Sequence, residues 1–158
     1  MLYYEYNKDD QRIQKEISVS FSYDIQGGEP MNISKFTQKS VQAVQDLEKV
    51  AYEYGNQEVE QEHLLYALLT QEDSLILKLI EKMEINKDYF INTVKKALDA
   101  KVKVSGGDLR FGQYLNKSLV NAENEAKAMG DEYVSVEHLF LSLLTQPSPS
   151  LSLIHISE

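Results

Sequence analysis

The stretch 36–71 recurs, without insertion or deletion, as 111–146, at a constant offset of 75 residues. About a third of the paired positions are identical, and the identities fall where structure is demanding. Phe36 matches Phe111, Ala51 matches Ala126 and Gly55 matches Gly130. Glu62-His63-Leu64 returns as Glu137-His138-Leu139, and Leu68-Leu69-Thr70-Gln71 returns as Leu143-Leu144-Thr145-Gln146. An ungapped self-match of this length means one supersecondary unit used twice, each copy helping to bury the other's apolar face. A duplicated helical module suggests a surface that holds another chain more than a pocket for chemistry.

Within the first copy, Val41, Val44, Leu47, Val50, Ala51 and Tyr54 recur at three- and four-residue spacing, the period of a helix with one buried face. Thr37 is placed to cap its start. Gly55 is the expected C′ residue, where glycine takes the left-handed conformation at least cost. A second helix is predicted over about 60–70, a third over 75–83 capped by Asp73 or Ser74, and a fourth opening at Asn86 or Asp88. Phe90, Ile91, Val94, Ala97 and Leu98 form the apolar face of the fourth. The second copy starts its helix near Phe111-Gly112, stops at Gly130, and reopens at Ser135, an N-cap candidate with Glu137 in the first turn.

These signals divide the chain into a leader at 1–30, a first repeat at 31–104, a linker at 105–110 and a second repeat at 111–146. In the leader, residues 17–25 alternate as a strand would, before the Gly27-Gly28-Glu29-Pro30 breaker, and Met31 is a natural start. The segment 147–158, opened by Pro147 and Pro149, is an atypical tail too short for a third and fourth helix. The second repeat therefore reads as incomplete after its second helix. An uncovered apolar face and self-association are the expected consequences.

Composition excludes several functions. With no cysteine among 158 residues, neither disulfides nor thiolate metal sites are possible. A net charge of −9 argues against nucleic acid as partner, since phosphate binding needs a basic stripe. Lys95-Lys96 and Lys101–Lys103 read as solvated helix faces. No run approaches the roughly 18 apolar residues of a membrane span, and the polar N-terminus lacks a secretory stretch. A soluble, cytoplasmic protein is expected.

The two Glu-His-Leu triplets invite a metal-dependent hydrolase built on His63 and His138. Adjacent helical residues project about 100° apart, so Glu62 and His63 cannot grip one ion, and no HExxH spacing exists. Structural histidines in the first helical turn are the expected reading, with Glu62 and Glu137 the more exposed members. Gly106-Gly107 lacks a phosphate-loop context and reads as a hinge. Glu123 and Glu125 lie on a polar helix face. No catalytic constellation is found, and no cofactor is expected in this chain.

Residues 36–44 (Phe-Thr-Gln-Lys-Ser-Val-Gln-Ala-Val), 62–69 (Glu-His-Leu-Leu-Tyr-Ala-Leu-Leu) and 131–139 (Asp-Glu-Tyr-Val-Ser-Val-Glu-His-Leu) together resemble the Clp N-terminal repeat domain of Hsp100 AAA+ unfoldases. The 131–139 wording is most like the ClpB disaggregase branch. The resemblance covers about 31–146 and implies an all-α, pseudo-twofold pair of four-helix units. Such a domain sits loosely on a hexameric AAA+ ring, which binds ATP elsewhere in the parent. It engages unfolded or aggregated polypeptide at a groove between the repeats. The positions matching the family's polar substrate contacts are Thr37, Asp131 and Glu137. In ClpC-type relatives, adaptor docking or phosphoarginine binding falls on positions matching Thr37, Glu62 and Glu137. Gly112 stands where that pattern wants a second threonine.

Overall fold

The computed structural model describes residues 33–104 and 106–154. The leader's expected strand, the start at Met31 and His155 lie outside them. Six helices carry the fold: α1 (Gln38–Glu53), α2 (Gln61–Leu69), α3 (Leu75–Lys82), α4 (Lys87–Asp99), α5 (Gln113–Ala128) and α6 (Val136–Thr145). The chain is all-α in class, with the predicted caps in place. Thr37 Oγ1 accepts from the Ser40 N–H, Ser74 Oγ from Leu77 and Asn86 Oδ1 from Tyr89.

Both long helices end alike. Gly55 and Gly130 take φ of +70° and +73°. At α1, Asn56 N–H reaches Ala51 O and Gly55 N–H reaches Tyr52 O; at α5, Asp131 reaches Ala126 and Gly130 reaches Lys127. These paired bonds satisfy the last carbonyls and turn the chain sharply, which glycine at C′ permits.

The sequence reading found no strands in this region, yet two short parallel pairings join the repeats. β1 (Glu58–Val59) pairs with β2 (Arg110–Phe111), and Phe36 forms an isolated parallel bridge with Val134. Val134 lies 75 residues after Val59, as Phe111 does after Phe36. Each repeat thus inserts its phenylalanine strand beside the loop that precedes the other's second helix. Thr37 N–H donates to Val134 O at 2.9 Å, and Gly112 N–H, its counterpart, donates to Val59 O at 2.8 Å. Two-residue strands escape period-2 detection because they are too short to alternate.

One core follows from this exchange. Phe36, Val44, Leu47, Val59, Leu64, Leu68, Leu119, Val134, Leu139 and Leu143 are all at most 1% exposed and belong to a single cluster spanning both repeats. Gln61, fully buried at the start of α2, stitches the repeats further. Its amide donates to Ser118 Oγ and Gln146 O, and its carbonyl oxygen accepts from the Ser148 N–H.

The segment after α6 differs from the expected tail. Leu151 and Ile154 are 1% and 7% exposed and join the core through a 3-10 turn at Leu151–Leu153. Leu151 keeps the 75-residue register with buried Ile76 in α3, so the repeat continues past Gln146 and its apolar face is partly covered. Leu144 is nonetheless 38% exposed where its counterpart Leu69 is 1%.

Phe36 is fully buried at the point of exchange. Phe36→Ala is expected to cost about 3–5 kcal/mol through lost burial and a residual cavity. Urea unfolding followed by circular dichroism measures this, and both repeats should lose structure in one shifted transition.

Candidate functional site

The chain exchange brings helix N-termini together in two equivalent seams. At one, Thr37 at the head of α1 meets Val134 and Ser135 at the head of α6. At the other, Gly112 at the head of α5 meets Val59 and Glu60 at the head of α2. Exposed backbone N–H groups at such ends favour negative charge, and each seam carries a glutamate in a first turn.

The histidines are structural, as the sequence reading expects, and the geometry gives the reason. His63 Nδ1 accepts the Glu60 backbone N–H at 2.9 Å, which fixes the proton on Nε2, donated to Asn56 Oδ1 at 2.9 Å. His138 repeats this with the Ser135 N–H and Asp131 Oδ2, both at 2.9 Å. Each ring closes a first turn and ties it to the residue just after the preceding helix's glycine. With both nitrogens engaged, neither ring is free to ligate. Among the described residues no group of three or more His, Cys, Asp or Glu could hold a metal ion.

The predicted site residues fare differently. Asp131, just after α5, and Glu137, in the first turn of α6, both lie near the head of α6, held by His138 and Ser135 respectively. Asp131 is 24% exposed and held by His138. Glu137 is partly exposed; its Oε2 accepts from Ser135 Oγ at 2.6 Å, while its Oε1 is buried with no hydrogen-bond partner. Thr37 is at the same seam but only 2% exposed, its hydroxyl occupied by the cap and by Ser40 Oγ at 3.0 Å. Glu62 lies apart from these three, and the expectation that it is exposed is overturned. It is 1% exposed because Lys101 Nζ sits 2.6 Å from Oε2 and Ser150 Oγ donates to that oxygen at 3.0 Å.

Lys101 is the residue that sequence reasoning missed. Grouped with its neighbours as a solvated lysine, it is 13% exposed and also lies 2.5 Å from Glu60 Oε2. Burial pulls the ammonium down, but the hydrogen bonds and charges of Glu60 and Glu62 outweigh burial and hold it above its ordinary value. No sequence period signals a contact made across a loop.

Gly112 is explained by packing. A Cβ there would lie 2.9 Å from Glu58 Oε1 and 3.4 Å from Val59 O, so a threonine fits only if Glu58 moves. A separate open groove of about 430 Å³ lies on the outer face of the first repeat, lined by Gln38, Lys39, Gln42, Asp46, Gln71 and Glu72. It holds none of the predicted site residues.

Two helical repeats joined by reciprocal short parallel pairings are the architecture expected of a Clp-type N-terminal repeat domain. The chain matches the Clp repeat (R) N-terminal domain over residues 35–154 and belongs to that family. The match runs beyond Gln146, where the sequence reading ended the resemblance. The chaperone protein ClpB of Nitratidesulfovibrio vulgaris is 38% identical over 126 residues, covering 77% of this chain and 15% of that relative. The chain therefore spans a small part of that relative's length. The Hsp104 N-terminal domain from Candida albicans shares the fold with a TM-score of 0.68 at 20% identity, over 76% of this chain and 79% of that one. A ClpV N-domain in complex with a VipB peptide gives 0.61 at 21% identity, over 77% and 78%. No helix among the described residues is long and apolar enough to cross a membrane.

His63 supplies a pH prediction. Burial, followed by the charge of Lys101, pushes its imidazole from an ordinary 6.5 down to about 4. The unfolded chain then binds the extra proton between those values, so stability is full above about pH 6.5 and falls as pH drops toward 4. The expected slope from this group is about 1.4 kcal/mol per pH unit. Urea midpoints across that range measure it; His63→Gln should lower stability at neutral pH and flatten this part of the slope.

Proposed function

We propose that this chain is the N-terminal substrate-engaging domain of a ClpB-like ATP-dependent disaggregase, holding unfolded or aggregated polypeptide at the α1/α6 seam. The observation that carries the reading is the pair of acids there. Asp131 is partly exposed and fixed by His138, and Glu137 is partly exposed with one carboxylate oxygen held by Ser135. Two carboxylates on the partly exposed residues Asp131 and Glu137, both near the head of α6, favour a basic side chain of a client. Thr37 shapes the head of α1 beside these acids. Engagement would be weak and electrostatically steered, suited to passing a client onward.

In this reading the domain performs no chemistry. ATP belongs to the AAA+ ring of the parent hexamer, and the cytoplasm is the site of action. The similarity to ClpB supports the assignment, and the peptide held by the ClpV N-domain supports a polypeptide as the class of partner. The rival reading is an adaptor-docking or phosphoarginine-binding domain of the ClpC type. It uses the Glu62 seam as well, and is weakened here by Gly112 against Glu58 and by the burial of Glu62 under Lys101.

The test is fluorescence anisotropy of a labelled, permanently unfolded protein titrated with the chain. Asp131→Asn with Glu137→Gln should weaken binding about tenfold, or ~1.4 kcal/mol, without lowering the melting temperature enough to unfold the domain. Unchanged affinity in a folded double variant overturns the assignment of the seam.

A further inference from the structure

The pseudo-twofold relation places Glu62 and Glu137 at the same position of their helices, yet a cation is already seated on Glu62. Lys101 follows α4, turns back across the first repeat and lodges its ammonium between Glu60 Oε2 and Glu62 Oε2, 2.5 and 2.6 Å away. Glu62 Oε1 remains buried without a partner. Its carboxylate is therefore not fully satisfied by Lys101 and Ser150.

A second observation shows how the lysine is delivered. The extended stretch after α4 is pinned beside the end of α1, where Val104 N–H donates to Gly55 O at 2.9 Å and Asn56 Nδ2 donates to Val102 O at 3.1 Å. Asn56 also accepts from His63, so it uses both an acceptor and a donor, which an amide supplies and a carboxylate does not. Its counterpart Asp131, a carboxylate, keeps the histidine contact alone and has no donor to hold a neighbouring strand. The same substitution pattern that exposes an acid in one seam thus fastens a cation over the other.

Replacing a buried ion pair by apolar side chains of similar size is often neutral or stabilising. Fold stability alone therefore gives weak reason for a lysine at this place. We propose that Lys101 is a built-in occupant of the α2 seam, held there by Asn56, that closes this seam to basic side chains of clients and makes the domain bind from one side only. The inference rests on the proposed reading in one respect: the ligand class is taken to be a basic side chain of polypeptide, as at Glu137.

The experiment is isothermal titration of the full chain with a short peptide of alternating arginine and leucine. The unmodified chain should bind one equivalent, abolished by Glu137→Gln. Lys101→Met, which keeps the stem and removes the charge, should gain a second equivalent that Glu62→Gln abolishes, whereas Lys101→Arg should gain none. A folded Lys101→Met chain that binds only at the Glu137 site overturns the proposal. To keep a collapsed seam from deciding the outcome, Lys101→Ala is melted in butylammonium chloride against equal sodium chloride. A selective, saturable rise shows that the emptied seam accepts an ammonium and supports the plug; no rise, like the absence of the second equivalent, overturns it. Peptide bound by Lys101→Met but not by the unmodified chain, and lost on Glu62→Gln, upholds the plug while removing the Glu137 site.

Discussion

The reciprocal pairing of Phe36 with Val134 and of Phe111 with Val59 is the contact on which the rest of the molecule depends. Each pairing costs only two residues of strand, yet it seats a buried phenylalanine in the other repeat and fixes where four helices begin. The buried cluster is shared by both repeats. Helix heads α1 and α6, and α5 and α2, are brought together because the strands that precede them are paired. Among the described residues, Thr37, Glu62, Asp131 and Glu137 lie at or near those heads.

A symmetric scaffold then carries asymmetric ends. The histidines, the glycine stops and the buried leucines are common to both repeats and do structural work in both. Substitution at three positions separates the seams: Asn56 against Asp131, Glu60 against Ser135, and Thr37 against Gly112. At the α2 end the amide and the extra acid recruit Lys101 and seal the site. At the α6 end the serine hydroxyl takes one oxygen of Glu137, the histidine takes one of Asp131, and carboxylate capacity remains. Local polar bookkeeping, more than backbone shape, decides which seam faces a client.

Much of this was legible beforehand. The helix starts at Thr37, at Asp73 or Ser74, at Asn86 or Asp88 and at Ser135 follow from short polar side chains ahead of apolar periods, with Ser74 and Asn86 the caps the structure uses. The stops at Gly55 and Gly130 follow from the left-handed turn each helix needs. These are local rules, satisfied within a few residues. The strands were missed because two residues carry no period, and the burial of Leu151 because prolines obscured a register that continues unbroken. Glu62 was misjudged as exposed because its cover comes from positions 101 and 150, far along the chain.

The sequence by itself determined that one helical unit is used twice, where its helices begin and end, and that its histidines brace first turns. Those outcomes depend on side-chain size, capping and φ preference at neighbouring positions. Only the tertiary structure decided which acids are open and which are filled. Burial and ion pairing depend on which distant segments the strand exchange brings alongside, and no local pattern encodes that. Lys101 and Lys103 are both lysines in one short run, yet one is buried between two carboxylates and the other lies over the ring of Tyr54.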